Sequence, residues 1–236
     1  MNAVVNMPNN YSGASDSIAI GAAAPRASRC PFTRLMRFLF SARQVDARQS
    51  AGRACPAQAM TLSWIRDFVA KPHPGLGRHG SVCPFLPRAL RDDSVMFRTI
   101  SGTDMGETKL DAIIKQHAEL FLKTEPTKGN ARLNKTIVLV FSGLPDEDAG
   151  VIIESAHRRL KPYFVEQGLM LGEFHKNHQG QGVHNKNFRP LQSPLPLLVI
   201  RYMVPSDLAF LDRETDPLDM RQRFVQAYRR LFRRVS

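Results

Sequence analysis

The chain has 236 residues, 43% hydrophobic and 23% charged, enough for one substantial core plus an extension. A net charge of +12 invites a nucleic-acid reading, but residues 1–82 hold ten Lys+Arg against three Asp+Glu, while 83–236 hold 23 against 18, and six of those 23 are arginines in the last sixteen positions. The middle is therefore near neutral with no basic stripe, which argues against nucleic acid as a partner, and no apolar run approaches the roughly 20 residues a bilayer span needs.

Three cysteines, Cys30, Cys55 and Cys83, are too few and too scattered for a disulfide framework, and no CxxC pair suggests zinc. A reducing cytoplasm is the expected location. Residues 1–60 are rich in Ser, Ala and Asn, lack Lys, and carry only Asp16 and Asp46 as acids. This composition predicts a disordered Arg/Ser/Ala-rich extension. It suits an organelle transit peptide, a bacterial export signal or a start codon placed too early; a secretory signal fits poorly, because Met1–Ser17 has no positive residue. Within it, Phe32–Gln44 reads as a short basic amphipathic helix.

Thr61–Ala70 predicts a helix with Leu62, Ile65, Phe68 and Val69 on one face. Lys71–Gly80 is rich in Pro and Gly and reads as a linker. The expected organisation is an extension over 1–60, a helix and linker over 61–80, and a globular domain over 81–236.

Ser94–Ser101 reads as a strand, and Thr108–Thr124 as a helix with Leu110, Ile113, Ile114, His117, Leu120 and Phe121 on one face. Lys135–Phe141 is an unbroken apolar run, as in a strand covered on both faces. Pro145 and three acids then open a helix whose buried stripe is Ile152, Ala156, Leu160 and Phe164; Pro162 should kink or restart it and Gly168 should end it. Leu169–His175 and Leu195–Val204 are two further strands. The last helix opens with Asp216 and Pro217 and carries the apolar stripe Phe224, Val225, Tyr228, Leu231, Phe232 and Val235. The order β-α-β-α-β-β-α predicts an α+β fold: a mixed, partly antiparallel sheet of about four strands covered by helices.

The chemistry concentrates in "LGEFHKNHQGQGVHNKNFRP", Leu171–Pro190, with three of the seven histidines. Glu173 and His175 sit two apart on a strand and so share a face. His175 and His184 are the candidate metal ligands, and Glu173 is a candidate ligand- or substrate-binding residue beside them, since imidazoles and a carboxylate suit iron or zinc. His178 reads as a solvated loop residue. His184, Asn185, Arg189 and Arg201 could instead converge on a carboxylate or phosphate. Arg201 interrupts an apolar strand, so it must meet an acid such as Glu173 or Asp207, or face a pocket. His117 reads as a hydrogen-bonded core residue, His157 as exposed, Asp207 as a turn cap and Cys83 as a small buried hydrophobe. No GxSxG, P-loop, HExxH or GxGxxG motif occurs.

The segments "VCPFLPRAL", "VMFRTI", "GLMLGEFH" and "VHNKNFRPLQSPLPLLVIRYMVPSDLAFL" together resemble a bacterial family of uncharacterised domains, over about residues 80–236. The resemblance implies a small cytoplasmic protein, with some members near specialised-metabolite genes. That family often has Pro after the first histidine, where this chain has Lys176. In layout the chain is also similar to the YqcI/YcgG type, which includes haem-dependent N-hydroxylases of guanidine-bearing amino acids. The matching stations are Cys83–Phe85, His184, Arg189, Leu195–Val204 and Tyr228. Two features depart: Cys precedes Pro here, and the only tryptophan is Trp64. The resulting expectation is a haem- or iron-dependent, oxygenase-like enzyme acting on a small metabolite, with His184 or His175 as ligand and Arg189 and Arg201 holding a carboxylate. The alternative is a non-catalytic ligand-binding module, or a translocated protein, with the Arg-rich last helix docking on an acidic protein partner.

Overall fold

The computed structural model describes residues 35–101, 105–213 and 216–232, with the backbone alone at Asp146. The expectations placed on residues 1–34, and Arg233, Arg234 and Val235 of the last helix, lie outside the described residues.

Among the described residues five strands form one mixed sheet: β1 (Phe40–Ser41), β2 (Val95–Ser101), β3 (Thr136–Ser142), β4 (Leu169–Phe174) and β5 (Leu197–Tyr202). Their spatial order is β1-β2-β3-β5-β4. Strands β2 and β3 run parallel, joined by a helical crossover; the other neighbours are antiparallel. The α+β mixed sheet expected from the element order is therefore present, with the short β1 added at one edge.

Helices cover both faces. On one side, α1 (Ala42–Ser50), α2 (Pro56–Trp64), its wide-turn continuation Ile65–Val69, and α3 (Leu86–Arg91) pack on Val95, Phe97, Val138, Val140 and Leu197. On the other, α4 (Glu107–Lys123) and α5 (Asp146–Glu166) pack on Ile100, Ile137, Leu139, Phe141, Leu198 and Ile200. Strand β3 is buried on both faces, which is why its sequence does not alternate. The short α6 (Leu208–Leu211) and α7 (Leu218–Phe232) close the end near Val165 and Met203 through Leu211, Phe224 and Ala227.

Three expectations are corrected. Residues 40–60 are not an extension: Ser41 caps α1, its Oγ accepting from Gln44 N while Gln44 Oε1 accepts from Ser41 N. The Ser41 hydroxyl also donates to Asp93 at 2.7 Å, and Ala42, Val45 and Leu62 are buried against the sheet. Average composition hid this, because a few apolar residues at the right spacing suffice. The segment 32–44 is likewise not one helix; strand β1 separates Leu35–Met36 from α1. Helix α5 continues through Pro162. Its core stripe, Ile153, Ala156, Leu160 and Phe164, is at most 1% exposed.

His117 is buried in α4, with Nδ1 hydrogen-bonded to Ile113 O and Nε2 without a partner among the described residues. Burial pushes its pKa down, the Ile113 carbonyl opposing and Arg98 reinforcing the shift. The folded state therefore resists protonation, the unfolded chain binds more protons below about pH 6.5, and stability falls as pH drops through that value. His117→Leu should flatten the decline between about pH 6.5 and 5 in urea unfolding. A slope equal to that of the unsubstituted protein would contradict this role.

Candidate metal centre

Strand β4 lies at the sheet edge, and its alternation aims Leu169 and Leu171 at α5. Glu173 continues that face, and His175 follows just past the strand end. Helix α5 presents Gly150, Glu154 and His157 to them, spaced i, i+4, i+7 along one stripe. The stripe flanks the core positions Ile153 and Ala156.

Two carboxylate–imidazole pairs result. His175 Nε2 lies 2.9 Å from Glu154 Oε1, and His157 Nδ1 lies 3.0 Å from Glu173 Oε2. His178 comes from the turn after β4 and adds a third imidazole, with Nε2 3.5 Å from Glu173 Oε1. The rings of His175 and His178 are 5.0 Å apart, and these residues are 5% and 6% exposed. Burial pushes the Glu173 pKa up, but the N–H groups and charge of His157 and His178 outweigh it and hold the group down at about 2. Two expectations are thereby corrected: His178 is buried rather than solvated, and His157 is half-buried against Glu173 rather than exposed. An acid one strand-face away from each ring makes the difference.

Glycines set the fit of both rings. A Cβ on Gly150 would lie 3.0 Å from His175 Cε1, so the ring rests directly on the helix backbone. A Cβ on Gly180 would lie 2.6 Å from His178 Cε1, and Gly180 N donates to His178 Nδ1 at 2.8 Å. That bond leaves the proton of a neutral His178 on Nε2, pointing at Glu173. Gly150→Ala offers a test. Alanine should stabilise a helix by about 1 kcal/mol relative to glycine. Here the stability gain should be absent and Co(II) affinity should fall about tenfold, because His175 must shift. A stabilised variant with unchanged affinity would show that the ring position does not matter.

Glu154, His175 and His178 offer ligand atoms that all lie within 4.8 Å of one another, and among the described residues they are the one group of this kind. Of the other expected site residues, Glu173 borders this group through His178, while His184, Asn185, Arg189 and Arg201 lie apart from it. His184 is exposed and packs beside Gly77. Asn185 Nδ2 donates to Gly75 O at 2.8 Å, and Phe188 stacks on His73 with centroids 4.6 Å apart. The Pro/Gly segment expected as a linker is thus a wall for the loop. Arg189 donates to the carbonyls of Lys186 and Phe188, within its own turn. Arg201 forms a two-pronged pair with Asp207, at 2.6 and 2.7 Å, and Asp207 also accepts from Val204 N.

Beside the cluster lies a cavity of about 160 Å³. Its wall includes His157 and Glu173 from the cluster, Arg201 from β5, and Phe210 and Arg213 from the segment after it. It is thus continuous with the imidazole–carboxylate network.

A family model, Domain of unknown function (DUF6875), matches residues 58–235. The chain belongs to this family. No curated protein and no solved structure matches the chain. The layout similarity to the YqcI/YcgG type is not confirmed by these comparisons. The DUF6875 match begins inside α2 and takes in strands β2–β5, the cluster and the cavity, while β1 and α1 lie before it. No helix among the described residues is long and apolar enough to cross a membrane.

Within this DUF6875 domain, sequence reasoning missed Glu154, His157 and the burial of His178. One signal was readable: Gly150, Glu154 and His157 share a helical stripe next to the core stripe, and such a stripe must face a neighbour. In the last helix, Arg221 pairs with Asp212 and Arg223 with Glu166. Two of the arginines expected to meet an acidic partner are therefore paired within the chain.

Proposed function

We propose that this domain holds a divalent transition metal, foremost iron(II), through Glu154, His175 and His178, and acts through it on a small metabolite. The carrying observation is the set of two buried imidazoles and one carboxylate whose donor atoms lie within 4.8 Å of one another. Two histidines and one carboxylate with remaining open positions form the donor set of non-haem iron(II) oxygenases, and the same set also suits zinc. Glu173 and His157 belong to the outer layer, where a carboxylate fixes imidazole orientation. This keeps the iron-dependent, oxygenase-like reading and moves the ligand role from His184 to His178 and Glu154.

A haem version is less favoured. His184 is exposed, and His175 has its ring against Gly150 and its Nε2, the atom an axial bond would use, on Glu154. The neighbouring cavity also falls below the roughly 300–1,000 Å³ of sites for drug-sized ligands.

Coordination by His178 through Nε2 requires the proton to sit on Nδ1, which breaks the Gly180 bond. Metal binding should therefore shift the Gly180 amide resonance in a ¹⁵N spectrum, with one Zn(II) or Co(II) per chain. A Gly180 signal unmoved at saturation would remove His178 from the ligand set. A second reading, a metal-free ligand-binding module, is favoured by that same hydrogen bond, which holds His178 as a donor to Glu173. It predicts no stoichiometric metal uptake.

A further inference from the structure

The cavity beside the cluster has a wall of mixed character. Val165, Met170, Leu171, Phe174, Val199 and Phe210 give it a mostly apolar surface. Gly172 widens it by leaving the edge strand without a side chain there. Three cations, Lys161, Arg201 and Arg213, also border it. Each differs in how it is held. Lys161 pairs with Asp216 at 2.6 Å. Arg201 is gripped by Asp207 through both Nη atoms, which leaves its Nε–H edge outside that fork. The guanidinium of Arg213 lies over the Phe210 ring at 5.0 Å and has no ion pair among the described residues. Among the described residues Glu173 is the acid in this wall, and it already accepts from two imidazoles.

An apolar body in such a wall gains from burial, and an anionic end gains from the planar donor fork of Arg213. A cationic ligand would meet the Arg213 guanidinium, since Glu173 already accepts from two imidazoles and the acids beside Lys161 and Arg201 are taken up by those cations. A phosphate, bulkier and more strongly hydrated, suits a small and mainly apolar chamber poorly. We infer that the cavity takes a small monocarboxylate with a short apolar body, its carboxylate on Arg213 and its body between Met170, Phe174 and Val199. The inference names the substrate class for the proposed metal centre and so rests on that reading, although binding itself needs no metal.

Calorimetric titration of the chelator-treated full chain with hexanoate, hexan-1-ol and hexylammonium provides the test. Hexanoate should bind at least tenfold more tightly than hexanol, and hexylammonium should give no heat. Arg213→Met should abolish the preference for hexanoate over hexanol and leave hexanol binding within twofold. Val199→Phe, which fills the chamber, should remove both. Equal affinity for hexanoate and hexanol, an unchanged preference in Arg213→Met, or no hexanoate binding at 10 mM would overturn the inference; 10 mM is about tenfold above the ~1 mM expected of so small a ligand. Melting temperatures of both variants, read alongside, establish that they fold, and a hexanoate-protected melting temperature in the unsubstituted chain supplies a second readout. A Co(II) titration on the same preparation separates the two ideas. Cobalt without hexanoate binding sinks the substrate class alone, and hexanoate without cobalt sinks the metal centre alone.

Discussion

His175→Ala should lower Co(II) affinity by more than the roughly 100-fold that loss of an outer-layer partner costs. The ring supplies one of three donors, and the remaining pair, Glu154 and His178, no longer encloses an ion from three sides. The effect on folding should be smaller, on the order of 1–2 kcal/mol, because Glu154 is 41% exposed in its side chain and can return to water when its partner leaves. Glu154→Gln keeps the size and removes the anionic donor, so it should weaken metal binding strongly and barely change the melting temperature. His184→Ala should do neither, since that ring is exposed and outside the cluster. Cobalt absorption titrations on the three variants check the pattern. A result in which His184→Ala weakens binding as much as His175→Ala would return the ligand role to the loop's far end.

Asp207→Ala should produce the largest loss of stability, about 3–5 kcal/mol, the usual cost of removing one partner of a buried ion pair. Asp207 is 1% exposed, and its two oxygens accept from both Nη atoms of Arg201 and from the Val204 amide. Its loss strands a guanidinium inside an apolar strand and leaves a buried N–H without an acceptor. Arg201→Met in the same background should recover much of the deficit, because the stranded charge is then gone; the unsatisfied amide, worth about 1–3 kcal/mol, should remain. Urea unfolding of the two single variants and the double variant measures this. If the double variant is as unstable as the sum of the singles, the pair is not coupled and Arg201 is held by something else.

Strand and helix content was readable because the signals are local. The unbroken run Lys135–Phe141 could only be a strand covered twice, and Thr108–Thr124 carried a helical stripe. The site was half readable for the same reason. Glu173 and His175 share a strand face, and that follows from a period of two. Arg201 had to find an acid, and Asp207 was among the candidates. What the sequence concealed is tertiary. Nothing local brings α5 across the edge strand, so His157 read as exposed and Glu154 carried no signal of its own. Nor does local pattern reveal that Gly180 folds the loop back over His178, burying an imidazole that sits among Asn, Gln and Gly. Residues 40–60 were misread because average polarity outweighed a few apolar contacts and a capping box.

The metal centre is the claim on which the functional account stands. The direct test is the metal content and absorption spectrum of the full chain purified from cells supplied with both iron and haem. The account predicts close to one iron per chain, no Soret band, and loss of that iron in His175→Ala. Protein that carries only trace metal, or that shows a Soret band unaffected by His175→Ala, would contradict it.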